Sequence, residues 1–250
     1  MAANNFEACL AHTLKFEGGY VDHPADPGGA TNLGITLATL RAWRKTAVTK
    51  ADVRALTKAE AAQIYRANYW NAVGADTLPF GVDLCAFDEG VNSGPARGKA
   101  RVKAAQAKYS NPLDIIRAMC AGRRAFFQSL RTFKVFGKGW MSRVAQVEAA
   151  ATRMALTATG MPAPDIARKM QTEASTAAQK AKTKAGQAKA AGGTATAGGI
   201  ATSAGGWNWE AIIFVGVCVG VLLFITILIV QGVIAENARK EAFQEVANNA

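Results

Sequence analysis

The sequence predicts a mainly α-helical protein with one small β element, followed by a flexible linker and a single apolar helix near the C-terminus. Three observations lead there. Through the first ~160 positions apolar residues recur at helical spacing, and strand-like alternation is scarce. The stretch from Ala174 to Gly206 is rich in Ala, Gly, Thr and Lys. The run from Ala211 to Val230 is apolar throughout, interrupted only by Gly and one Thr.

Each element follows from its own residues. With Phe6 as origin and about 100° per residue, Leu10 falls near about 40°, Cys9 about −60°, Thr13 about −20° and Leu14 about 80°. Glu17 lands at about 20°, inside that apolar stripe. Gly18-Gly19 then stops the helix, as glycine does at helix C-termini. A small hairpin fits only the loop from Asp22 to Ile35, with its Pro-Gly-Gly turn. Thr36 caps a second helix, and Thr57-Lys-Ala-Glu60 is a capping-box pattern opening a third, with Ile64, Tyr65 and Tyr69-Trp70 on its apolar side. A helix from Phe80 to Val91 is broken by Asn92-Ser-Gly-Pro95. Basic helices follow over Ala96–Tyr109, Leu113–Phe133 and Trp140–Leu156.

Ala163 to Ala191 suits a polar helix by propensity, and Gly192 to Gly206 a flexible tether. The run from Ala211 to Val230 has the ~20 residues a helix needs to cross a bilayer. Trp207 and Trp209 precede it, where indole rings favour the membrane interface. Ala235 to Val246 reads as a short charged amphipathic end to that helix.

Composition narrows the partners. The formal charge of +11 suits an anionic polymer or surface. Lys and Arg are spread over several helices rather than gathered on one reading element, which argues against nucleic acid. With two His and four scattered Cys, no metal site is expected, and Cys9, Cys85, Cys120 and Cys218 read as reduced, mostly buried thiols. No organic cofactor is implied. The first residues lack a basic start followed by an apolar stretch, so no cleavable signal peptide is expected.

The chemistry points to Glu17. A carboxyl on an apolar helix face is partly desolvated, the condition for a general acid that donates to a leaving oxygen. Asp26 lies on a loop able to fold back across it, with Asp22 as the alternative. Two carboxylates flanking a cleft are the minimal apparatus for glycoside hydrolysis. Thr31 is placed to hold a water. Tyr20 suits stacking on a sugar ring or anchoring of the loop. Asp88 and Asn92 end the Phe80 helix and line a cleft or, for Asp88, make a buried hydrogen bond. Trp140 reads as core packing.

The run EGGYVDHPADPGGATNLGIT resembles the signature of glycoside hydrolase family 108, the holin-associated N-acetylmuramidases of phage lysis and bacterial secretion modules. FDEGVNSGPARGKARVKAAQ and FGKGWMSRV resemble the peptidoglycan-binding half that usually follows. The resemblance covers residues 6–158. It implies a lysozyme-like catalytic region over 1–95 and a helical peptidoglycan-binding region over 96–160; composition and hydropathy add a linker over 161–206, a transmembrane helix over 207–232 and a charged tail over 233–250. It assigns the catalytic acid to Glu17. The Glu17-to-Asp26 spacing is similar to that of phage-type lysozymes, which carry a Thr one position later than Thr31; Asn32 stands there and competes for its role.

The expected activity is cleavage of the β-1,4 bond between N-acetylmuramic acid and N-acetylglucosamine, with peptidoglycan, membrane lipid and a holin or other lysis protein as partners. Lytic transglycosylase chemistry, or a non-catalytic wall-binding protein of a phage particle or secretion system, are the alternatives. The expected location is a host inner or virion membrane, anchored through the C-terminal helix, with the enzyme held on the cytoplasmic face until it reaches the wall.

The spacing makes Asp26→Asn more damaging to peptidoglycan clearing than Asp22→Asn. Comparing turbidity loss for the two variants checks this, and a larger loss at Asp22 reverses the roles.

Overall fold

The structure is a computed structural model that describes residues 5–22, 29–197 and 209–249, with backbone alone over 191–197 and 209–219 and at Leu222. It is mainly helical, with one two-stranded hairpin. The chain divides into two compact units: residues 1–123 with 150–161, and residues 124–149 with 162–250.

The first unit opens with α1 (Phe6–Thr13), which buries Phe6, Cys9, Leu10 and Thr13, the stripe predicted from the sequence. β1 (Thr31–Asn32) pairs antiparallel with β2 (Ile35–Thr36) at the end of the loop where a hairpin was expected. Leu33 and Gly34 both have positive φ, the two-residue turn whose twist matches paired strands. Thr36 then caps α2 (Leu37–Arg44) by accepting from the Thr39 amide.

Thr49 and Asp52 form a full capping box on α3 (Lys50–Arg54) that the sequence reading did not anticipate. On α4 (Lys58–Tyr65) only half of the expected box forms. Thr57 accepts from the Glu60 amide, but Glu60 turns its carboxylate to Arg44, which donates through Nε and Nη2 at 2.8 and 2.7 Å. A two-point ion pair outcompetes a single backbone donor.

The helix continues through a π-helical turn, Arg66–Trp70, into α5 (Asn71–Val73). Next come α6 (Val82–Ser93), α7 (Pro95–Gln106) and α8 (Pro112–Gln128). Gly94, at φ 92°, makes the break foreseen between α6 and α7. α8 stops at Gln128, short of Phe133, and that residue instead opens α9 (Phe133–Ala158).

Aromatic rings fill the centre of this unit. Phe6 meets Trp70 edge-on at 5.3 Å and Phe87 at 6.0 Å, and Phe87 meets Trp70 at 5.6 Å and Tyr65 at 6.2 Å. Edge-to-face pairs add to area burial, so the cluster welds α1, α4 and α6 together. A polar tie does the same at the start of α1. Asn5 leaves its own helix uncapped and donates 2.8 Å to the buried Asp83, whose other oxygen accepts from the Gly81 and Leu84 amides.

In the second unit, α10 (Ala163–Ala197) and α11 (Trp209–Asn248) run antiparallel, joined by Glu173–Arg239 and Lys184–Glu236 pairs. Ile166, Met170, Ala174, Ala177 and Ala181 form a buried stripe at coiled-coil spacing. Arg239, almost fully buried, donates to both oxygens of Glu148 at 3.0 and 3.2 Å and to Glu236 at 3.0 Å. Glu148 also takes Arg124. Such charges are tolerable inside only because each has a partner. Trp140 stacks on Phe127 at 4.9 Å, the packing role read for it.

The helix expected over 163–191 therefore forms and extends to Ala197, so the first residues of the expected tether are helical. Residues 198–206 lie outside the described residues.

The transmembrane helix expected over 207–232 is corrected. Among the described residues no helix is long and apolar enough to cross a membrane. The exposed apolar side chains described on α11 run from Val221 to Val230. Beyond them Glu236, Arg239 and Lys240 make the helix amphipathic, and its buried side lies on α10. The side chains of 209–219 fall outside the described set, as does Trp207. The anchored location in an inner or virion membrane, and lipid as a partner, fall with the span.

Burial pushes the Asp83 carboxyl up to about 6, against hydrogen bonds that pull it down. The folded chain then holds a proton that the unfolded chain releases between pH ~4 and ~6. Stability from this group is full below that window and falls as pH rises through it, by about 3 kcal/mol. Asp83→Asn flattens this part of the pH profile, with Asn5 turning its amide to pair with the new one. Urea midpoints for both proteins across the window measure it; parallel profiles would reject the assignment.

Candidate active site

Glu17 sits just beyond α1. The amides of Lys15, Phe16 and Glu17 donate to the carbonyls of His12, Thr13 and Leu14 at 3.2, 3.1 and 3.2 Å. These i→i−3 bonds tighten the end of the helix into one last turn. The exposed Gly18 and Gly19 then let the chain leave. Glu17 is half-buried, with its carboxyl against the hairpin turn.

That turn explains Gly34. Its φ is +73°, and a Cβ there would lie 2.9 Å from Glu17 Oε2 and 2.3 Å from Tyr65 Oη. Both atoms use space that only a missing side chain leaves open. Tyr65 is buried and donates 2.9 Å to the Leu33 carbonyl, fixing the turn from below. Tyr69 tilts against Tyr65 with centroids 5.5 Å apart. Burial, and after it the negative charge of Glu17, push the Tyr69 phenol up from its ordinary value. Tyr69 lies within the π-helical turn, a feature common near functional sites. Trp70, its neighbour in that turn, is buried and donates 2.7 Å to Asp76.

The other candidates are placed as follows. Val21 and Thr31 exchange both backbone hydrogen bonds at 2.8 Å, so the intervening loop starts and ends at one bridge. Asp26 lies in that loop, outside the described residues. Three candidates hold the loop to α3: Asp22 pairs with Lys50 at 3.1 Å, Tyr20 lies under the Arg54 guanidinium at 4.4 Å, and Asn32 donates to the Val53 and Arg54 carbonyls at 3.0 and 3.2 Å. Thr31 makes a long hydrogen bond, 3.4 Å, to the Gly29 carbonyl. Asp88 and Asn92, one turn apart on α6, grip Arg123 of α8 at 2.6 and 3.2 Å.

The structure thus gathers Glu17, Gly34, Tyr65 and Tyr69. It commits Tyr20, Asp22 and Asn32 to α3, and Asp88 and Asn92 to Arg123. Gly34, Tyr65 and Tyr69 went unassigned in the sequence. The usable signals were the four-residue spacing of the tyrosines and the Leu-Gly pair between two short β-prone dipeptides. Among the described residues no cluster of His, Cys, Asp and Glu could hold a metal ion.

A half-buried carboxyl at a helix end, facing a small hairpin, suits proton donation to a glycosidic oxygen. Residues 10–94 match the family described as Glycosyl hydrolase 108, a segment containing Glu17 and the whole hairpin. The chain belongs to that glycoside hydrolase family. Six solved chains match, among them the structure of Brucella abortus SagA, with 46% identity and a TM-score of 0.54 over 60% of this chain and 95% of that one. No curated protein sequence matches.

Gly34→Ala tests the tight contact. It should abolish most peptidoglycan clearing, because the new methyl intrudes between Glu17 and Tyr65. Gly74→Ala is the control: its φ is +71° but its Cβ would meet nothing within 4 Å. Both variants should lose about 1 kcal/mol from backbone strain. Only the first should lose activity, and equal activity in the two would remove the contact from the site.

Proposed function

We propose that the protein is a muramidase that cleaves the β-1,4 bond between N-acetylmuramic acid and N-acetylglucosamine in peptidoglycan. The observation that carries the reading is the half-buried carboxyl of Glu17, held against a glycine turn inside the family-matched segment. Glu17 gives its proton to the leaving oxygen as the glycosidic bond breaks, and positive charge grows on the sugar ring. Water then adds to the anomeric carbon and returns a proton to the Glu17 carboxylate. Asp26 is the second carboxylate in this scheme, steadying the charge or orienting the water, and Thr31 holds that water. Tyr69, kept as a phenol, offers a donor next to Glu17. The net charge of +11 favours retention on an anionic wall.

Glu17→Gln keeps size and hydrogen bonding but removes the acid. Full-length protein carrying it should clear purified peptidoglycan at least roughly 100-fold more slowly, the lower range for loss of a general acid. Thermal unfolding confirms that the variant is folded. Undiminished clearing by a folded variant would refute the role. Products bearing a reducing end support hydrolysis, and 1,6-anhydro ends assign the same acid to a transglycosylase.

A further inference from the structure

Cys85 and Cys120 are 35 residues apart in sequence, and their Sγ atoms approach to 3.8 Å. Both side chains are buried, and both lie in the first unit. The approach belongs to a regular helix pairing. Asp88 of α6 meets Arg123 of α8 at the same offset of 35. One turn the other way, Gly81 faces Ile116, whose Cδ1 would lie 3.0 Å from a Cβ on the glycine. A constant offset means that α6 and α8 run parallel, side by side. The two sulfurs sit in the middle of that contact, with the Gly81–Ile116 approach on one side and the buried Asp88–Arg123 ion pair on the other.

We propose that Cys85–Cys120 is a disulfide site that closes by exchange with a small-molecule disulfide. The thiolate of one cysteine attacks a sulfur of oxidised glutathione, forming a mixed disulfide and releasing one glutathione thiolate. The thiolate of the second cysteine then displaces the other glutathione. Two protein thiols and one glutathione disulfide become one protein disulfide and two glutathione thiols. The bond needs the sulfurs to come about 1.8 Å nearer, to the ordinary length of about 2.0 Å.

The consequence is a staple across the helix that carries Phe87, which packs on Tyr65 and so supports the Glu17 turn. As dithiol, the pair is an S–H···S contact in a core. As disulfide, it closes a loop of 35 residues and restricts the unfolded chain. A chain made in a reducing compartment and acting in an oxidising one gains this link where it works. That last point rests on the wall-degrading reading; the bond itself does not.

The full-length protein is reduced with dithiothreitol, freed of it and incubated with oxidised glutathione. A second sample is refolded from urea in glutathione buffer, so that burial of the sulfurs is no barrier. After blocking of remaining thiols, peptide mass mapping should show the Cys85 and Cys120 peptides joined in both samples, and separated again by dithiothreitol. The oxidised protein should melt roughly 5–10 °C higher than the reduced one. Cys85→Ser and Cys120→Ser should melt alike in both buffers. The proposal fails if neither sample holds the joined peptide, if both cysteines are recovered as glutathione adducts, or if the link lowers the melting temperature.

Discussion

The Glu17 carboxyl, the Tyr65 hydroxyl and the backbone of Gly34 crowd into one small volume, and the first unit of the chain is arranged around keeping it so. Gly34 leaves the space because it has no side chain, and its positive φ lets the hairpin turn in two residues. Tyr65 holds the turn through the Leu33 carbonyl, while its ring is fixed in the aromatic cluster. Glu17 is delivered from the other side by the tightened end of α1. A movement of any of the three by even an ångström would alter the carboxyl's surroundings, on which the proposed role of Glu17 depends.

The remainder of the first unit supports those three positions. The Phe6–Trp70–Phe87 contacts set α1 against α4 and α6, and the Asn5–Asp83 bond fixes where α1 begins. Asp88 and Asn92 secure α8 through Arg123, and Glu89 takes Arg101 of α7 through both oxygens at 2.7 Å. Burial pushes Glu89 up while Arg101 pulls it down, the mark of a carboxylate kept inside by its partner. Polar residues that resemble site residues by type are therefore mostly structural here. The second unit has its own centre in Arg239, held by Glu148 and Glu236 against the cost of burying it.

Several elements were legible because their causes are local. The α1 stripe, the Thr36 and Thr57 caps and the Gly94-Pro95 break depend on residues within one or two turns, and the structure has them. Glu17 was legible only in part: α1 ends at Thr13, before the glycines expected to stop it, and a tighter turn of i→i−3 bonds rather than the helical stripe carries the half-buried carboxyl. The π-helical turn was not, because inserting a residue into a helix trades local geometry for the burial of Trp70, whose partners come from other elements. The transmembrane reading followed hydropathy and the flanking tryptophans and ignored what α10 offers the end of α11.

By itself, then, the sequence determined the helical character of the chain, the α1 stripe and the loop that carries the hairpin, though not its Leu33-Gly34 turn, since periodicity and cap chemistry act over a few residues. Only the tertiary structure decided that Tyr65, Tyr69 and Gly34 would be the neighbours of Glu17, and that Tyr20, Asp22 and Asn32 would bind α3 instead. It likewise decided that two cysteines 35 residues apart would meet. Such pairings are set by which faces of distant helices pack together, and packing depends on the fit of whole surfaces rather than on any spacing along the chain.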